Sequence, residues 1–151
     1  MKVIVQRVKE ASCRVDGNVY SEIGKGFCLF VSFKEGDDAS VIPWMAKKVA
    51  NLRIFEDDEG KMNKSLKDVG GSVLSISQFT LEASTKKGNR PSFTSALDPQ
   101  TANALYETFN QTLKDTHSLN VQTGAFKQHM DIALINDGPV TIPIERTITD
   151  D

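Results

Sequence analysis

Only two stretches of this chain place apolar residues at helical spacing. Eight or so short runs of β-branched and aromatic residues, divided by tight turns, make up most of the rest, and that imbalance limits the fold more than any other feature. The first helical stretch starts at Asp38; Val41, Met45, Val49 and Leu52 fall on one face, and Pro43 is tolerated in the first turn. The second opens with Asp98-Pro99 as N-cap and first-turn proline, and Ala102, Leu105, Tyr106, Phe109 and Leu113 follow at helical spacing. Strand character is read at residues 3–8, 12–15, 19–23, 27–33, 53–56, 72–81, 120–123, 131–135 and 140–144. Asp16-Gly17 supplies a hairpin turn, and Asn136-Asp137-Gly138-Pro139 is read as the turn joining the last two strands. Two helices are too few to provide the crossovers of a parallel sheet. The sequence therefore predicts an α+β fold, a mostly antiparallel β barrel or sheet with two main helices, as a single domain over residues 1–151 with 146–151 as a frayed tail.

Composition narrows the function classes. With 39% apolar and 25% charged residues in 151, the chain has the make-up of one ordinary globular domain. Eighteen Lys and Arg against twenty Asp and Glu give a net charge of −2, not the broad basic footprint of a duplex-binding protein. No DNA partner is expected, and any nucleic-acid contact must be local. The longest apolar stretch, residues 26–33, is too short to span a bilayer, and no signal-peptide pattern is seen, so the expectation is a cytoplasmic protein without a membrane partner. Cys13 and Cys28, in separate strand-like runs, read as buried reduced thiols. With His117 and His129 the only histidines and no ligand spacing, no metal and no cofactor is expected.

Histidine-activated catalysis has little support. His117 lies at the end of the second helix beside Asp115 and Thr116, an ordinary place for a capping cation, and His129 stands in a polar stretch before a strand. Gly-x-Ser-x-Gly and glycine-rich phosphate loops are absent. Two polar segments remain. Ser75-Ile76-Ser77-Gln78-Phe79-Thr80 sets three hydroxyls and an amide into a run that otherwise reads as core, and on composition it also fits an edge strand with a wet face. Asn136-Asp137-Gly138-Pro139-Val140-Thr141 equally fits a plain hairpin turn.

Six ordered blocks give these segments a context: Val5-Gln6-Arg7-Val8, Asn51-Leu52-Arg53-Ile54-Phe55, Gly60-Lys61-Met62-Asn63, Ser77-Gln78-Phe79-Thr80-Leu81, Lys87-Gly88 with Arg90-Pro91-Ser92-Phe93, and Asn136-Asp137-Gly138-Pro139-Val140-Thr141. Through them the chain resembles the D-aminoacyl-tRNA deacylase family, in its bacterial and eukaryotic form, from Met1 to about Ile144; it departs from the family pattern at Glu82, Ser84 and Gln128-His129. The resemblance implies a homodimer that hydrolyses the ester between a D-amino acid and the terminal adenosine of tRNA, holding the acceptor end. It implies that Ser77, Gln78, Phe79 and Thr80 line the pocket of the adenosine and scissile ester. It further implies a cis Gly138-Pro139 bond whose carbonyls enter the partner subunit's pocket and select chirality, with Arg7 holding that motif. Lys86, Lys87 and Arg90, in one loop after the pocket strand, are candidates for tRNA phosphates or for a merely solvated charge cluster. Two other readings stay open: a small-molecule esterase using residues 77–80, and an RNA-binding β module, for which eleven aromatic residues leave little stacking surface.

Overall fold

The computed structural model describes residues 1–150. In chain order the elements are β1 (Lys2–Val15), β2 (Asn18–Ile23), β3 (Gly26–Ser32), α1 (Ile42–Asn51) preceded by a 3-10 turn at Ala39–Val41, β4 (Phe55–Glu56), β5 (Met62–Lys64), α2 (Leu66–Val69), β6 (Ser72–Ser77), a second 3-10 turn at Phe79–Glu82, α3 (Pro99–Asp115), β7 (Asn120–Thr123) and β8 (Asp131–Glu145). Among them β1 is a single bent strand where two were expected, residues 3–8 and 12–15. Its first half pairs antiparallel with β3 and its second half with β2, while β8 runs antiparallel along the other edge.

The main sheet has the order β2-β1-β3-β6-β7, with β8 beside β1. It is mixed rather than mostly antiparallel, because β3 pairs parallel with β6 and β6 parallel with β7. The reason lies in the connections. The β3-to-β6 crossover contains α1, and the β6-to-β7 crossover contains α3, so each main helix serves one parallel pair and two helices suffice for two. Ser21 Oγ on β2 donates to the Thr123 carbonyl at the end of β7 (2.7 Å), drawing the two ends of this path together into a nearly closed barrel.

Alternation along the central strands divides the core. Phe27, Leu29, Val31 and Val73 face α1 and α3, packing with Ile42, Met45, Val49, Tyr106, Phe109 and Leu113. Cys28, Leu74 and Ile76 point the other way, into a smaller cluster with Val8, Ala11, Cys13 and Ile23. Both faces of β6 are thus covered, which explains why its sequence lacks a simple period of two. Each fully buried side chain of this kind contributes about 1.5–3 kcal/mol. Gly26 is required where β3 meets β6, since a Cβ there would lie 1.8 Å from the Ser72 carbonyl oxygen. Cys13 and Cys28 are buried free thiols, and burial pushes the Cys28 thiol up to about 12.

Two further expectations change in detail. Residues 53–56 yield only the two-residue β4, which pairs with the unexpected β5. Ser65 caps α2 in a capping box with Asp68, a signal present in the sequence as Ser65-Leu66-Lys67-Asp68. Within the tail, Arg146 N–H donates to the Met1 carbonyl, and Thr147 and Asp150 close a hydrogen-bonded turn; Asp151 lies outside the described residues.

Candidate active site

Strand β6 ends sooner than its sequence suggests. Gln78 N–H donates to the Val31 carbonyl (2.7 Å), closing the parallel ladder, and the chain then winds into the 3-10 turn at Phe79–Glu82 rather than continuing as strand to Leu81. In such a turn the first amides have no carbonyl behind them. The first to find one is that of Leu81, which donates to Gln78 (3.2 Å), followed by Ala83 to Thr80 (3.2 Å). The adjacent N–H groups of Phe79 and Thr80 are left as fixed donors at the end of a rigid strand, an arrangement suited to a developing oxyanion. The Gln78 side-chain amide donates to the Thr80 hydroxyl, and among the described residues no histidine or carboxylate is bonded to that hydroxyl. His117 follows α3, where burial and then the charges of Lys67 and Lys47 push its pKa down; His129 is exposed and pairs with Asp131 (3.4 Å).

The turn is pinned from below by Glu82, a residue that sequence reasoning did not single out as functional. Its carboxylate is buried, accepts from Ser32 Oγ (3.3 Å) and pairs with Lys2 Nζ (3.3 Å). Lys2 also donates to the Leu81 carbonyl (3.3 Å), and Ser95 Oγ to that of Glu82 (2.9 Å). A carboxylate withdrawn from water persists only with such partners, so Glu82 ties the turn to β1, β3 and the later loop at once. Nothing local marks it, because Ser32 and Ser95 lie 50 and 13 residues away in sequence. Behind β6, Tyr106 OH donates to the Ser75 carbonyl (2.6 Å), and burial raises its pKa, keeping it a phenol.

Phe79 is 57% exposed and meets Phe93 edge to face, with centroids 5.3 Å apart. Ser84 and Ser92 exchange backbone hydrogen bonds (2.7 and 2.9 Å), pinching the base of the loop that carries Lys86, Lys87 and Arg90. All three cations are exposed at its tip, and Phe93 ties the loop's base to the 77–80 segment.

Residues 136–141 do not form a hairpin. They are a bulge inside the single strand β8: Gln6 pairs with Thr141 and Val8 with Asn136, so five steps of β8 face two of β1. The Gly138-Pro139 bond is cis, and both residues are exposed. Opposite the bulge the buried Arg7 guanidinium spreads three ways. Nε donates to the Asp137 carbonyl (3.0 Å), and Nη1 donates to the Ile54 carbonyl (2.7 Å) and to Glu56 Oε1 (3.2 Å). Gly138 has φ +125°, and a Cβ there would lie 3.0 Å from Arg7 Nη2 and from Val140 Cγ2, so glycine alone fits.

Arg7 therefore meets residues 137–138, and Phe93, at the base of the basic loop, meets Phe79. The two groups do not meet each other. Ser77 is level with Val31, Val3 and Ile144, whereas Gly138 is level with Arg7. Four residues along β1 and three strand spacings across the sheet separate them, about 13 Å one way and about 14 Å the other.

The family model described as D-Tyr-tRNA(Tyr) deacylase matches residues 4–145. A D-aminoacyl-tRNA deacylase of Thermomicrobium roseum is 56% identical over 142 residues, covering 94% of this chain and 92% of its own. One from Exiguobacterium sibiricum is 51% identical over 146 residues, covering 97% and 100%. Among solved structures, one described as c-Myc DNA Unwinding Element Binding Protein superposes with a TM-score of 0.91 at 39% identity, over 97% of this chain and 99% of that one. Another, described as a probable eukaryotic D-amino acid tRNA deacylase, shares the fold with a TM-score of 0.80 at 16% identity, over 95% and 98%.

Proposed function

The chain belongs to the D-Tyr-tRNA(Tyr) deacylase family, hydrolases of D-aminoacyl-tRNA, and from that premise we propose that it proofreads chirality as a homodimer in the cytoplasm, each cleft being completed by Gly138 and Pro139 of the other subunit. The acceptor end enters beside Phe79, and Gln78 positions the terminal adenosine or its ribose. Water attacks the ester carbonyl carbon, and the amides of Phe79 and Thr80 hold the oxygen that becomes negative. The C–O bond to the ribose then breaks; the proton lost by water ends on the ribose oxygen, helped by the neighbouring ribose hydroxyl. An aminoacyl ester is already activated, so orientation and a stabilised oxyanion suffice without a side-chain base. The Thr80 hydroxyl accepts from Gln78 and has no base beside it among the described residues, which favours attack by water over a Thr80 nucleophile.

The observation that carries the cross-subunit reading is the separation of residues 77–80 from Gly138 within one chain. A motif that exposed, fixed in place by a buried arginine and set into a long edge strand, is suited to a neighbour's cleft. Rigid carbonyls set against the substrate Cα refuse the hand whose side chain points at them and leave the other hand's side chain in solvent. Glycine carries only hydrogen there and is not refused. Lys86, Lys87 and Arg90 meet the phosphates of the acceptor end, which lets a chain of net charge −2 bind tRNA locally.

Turnover of D-tyrosyl-, L-tyrosyl- and glycyl-tRNA, measured beside a free tyrosine ester, tests this. The D and glycyl substrates should be cleaved, and the L substrate and the free ester spared. Equal turnover of the free ester would make the protein a small-molecule esterase, and inert glycyl-tRNA would refute selection by exclusion.

A further inference from the structure

A second cleft lies on the far side of the β6 wall, between α3 and the seam where β2 meets the end of β7. Its volume is about 410 Å³, within the range of about 300–1,000 Å³ usual for small-molecule sites. Its floor holds an unmet polar group. Asn110 is 5% exposed, and its Oδ1 has no hydrogen-bond partner among the described residues. A buried acceptor in that state calls for a donor from a ligand.

The walls say which donor. Glu107 and Lys114 stand two turns apart on one face of α3 and line the cleft with opposite charges, on either side of Asn110. Tyr20, which is 56% exposed, and Phe126, whose ring lies 6.2 Å from that of Tyr106, add aromatic surface. A negative group, a positive group, a buried amide oxygen and an aromatic wall together match one ligand class. We propose that this cleft binds a free α-amino acid as its zwitterion, with the ammonium between Glu107 and Asn110 Oδ1, the carboxylate toward Lys114 and an apolar side chain against Tyr20 and Phe126.

Two hydrogen bonds from the cleft walls end on one carbonyl of β6. Tyr106, which lines the cleft, donates to the carbonyl of Ser75, two residues before Ser77. The same carbonyl accepts from Gly124 N–H (3.0 Å) in the cleft wall. The assignment does not rest on the deacylase reading, and it is tested without tRNA.

Isotope-labelled protein titrated with phenylalanine of either hand should show saturable amide shifts at Tyr20, Asn110, Lys114 and Gly124, with a dissociation constant below about 10 mM. Phenethylamine, which lacks the carboxylate, and 3-phenylpropionate, which lacks the ammonium, should each bind about tenfold more weakly. Asn110→Leu should abolish the shifts, and Lys114→Glu, on the helix surface, should weaken binding about tenfold while keeping the spectrum of the folded protein. The proposal is overturned by no saturable shift at that concentration, by shifts confined to residues 77–80, by phenethylamine binding as tightly as phenylalanine, or by undiminished binding to Lys114→Glu.

Discussion

Replacing Arg7 by Lys separates the effect of a charge from that of a fork. The guanidinium reaches the Asp137 carbonyl through Nε and the Ile54 carbonyl and Glu56 through Nη1, in two directions at once and almost without water. A single ammonium on a flexible stem can satisfy one of those carbonyls and leaves the other buried and unpaired. The lost charge-assisted bond costs about 1.5–3 kcal/mol and the orphaned carbonyl about 1–3 kcal/mol, so Arg7→Lys should lower stability by about 4 kcal/mol. For a domain of this length that is a fall of about 8–16 °C in Tm. Urea unfolding should show the midpoint fall with an unchanged slope, and Arg7→Met, which leaves both carbonyls unpaired, should fall further. Because the same fork fixes the bulge that carries Gly138, the ratio of D- to L-tyrosyl-tRNA turnover should drop in Arg7→Lys protein that remains folded. Stability within about 0.5 kcal/mol of the parent, together with undiminished chiral discrimination, would refute this account of Arg7.

Three more outcomes are expected. Thr80→Ala should slow D-tyrosyl-tRNA hydrolysis only modestly in single-turnover assays, and complete loss of activity with the fold intact would restore a covalent mechanism. Changing Lys86, Lys87 and Arg90 to Glu should weaken tRNA binding and flatten its dependence on salt by about one logarithmic unit of slope for each phosphate no longer neutralised; unchanged salt dependence would remove the loop from the interface. Hydrogen bonds from Thr101 hold the Asp98 carboxyl below its ordinary pKa, so the stabilisation of α3 by this cap is complete above the usual aspartate value and is lost as pH falls through the lower folded value. Asp98→Asn keeps an acceptor without the charge, and acid unfolding followed by circular dichroism should show a weaker pH dependence below about pH 4.

Local signals in the sequence reached some parts of this structure and not others. Helix α3 was legible because Asp98, Pro99 and an apolar stripe all act within the segment itself. The polarity of the sheet was not, since strand direction is set by what the connections carry, and counting helices overlooked that one helix per parallel pair is enough. Phe79, Thr80 and Leu81 have strand-forming side chains, yet Glu82 and its distant partners Lys2, Ser32 and Ser95 hold the chain in a turn. Gly138-Pro139 is turn chemistry by composition and a bulge in fact, because β1 continues to pair on both sides of it. Arg7 could be tied to that motif through family resemblance, whereas its bonds to Ile54 and Glu56 needed coordinates. The cleft under α3 left no sequence signal at all, since Tyr20, Asn110 and Phe126 meet only when the barrel closes.

Mixed dimers test most directly whether each cleft borrows its selector from the other subunit. One subunit would carry Gln78→Ala, which removes hydrolysis at its own cleft, the other Gly138→Ala, which relaxes the refusal of L-tyrosyl-tRNA, and the heterodimer would be isolated with two affinity tags. If the selector acts across the interface, the one working cleft, on the Gly138→Ala subunit, receives the intact Gly138 of its partner, so the heterodimer should cleave D-tyrosyl-tRNA and spare L-tyrosyl-tRNA as the parent does. If the heterodimer cleaves L-tyrosyl-tRNA as readily as the Gly138→Ala homodimer, the two segments act within one chain and the account is contradicted.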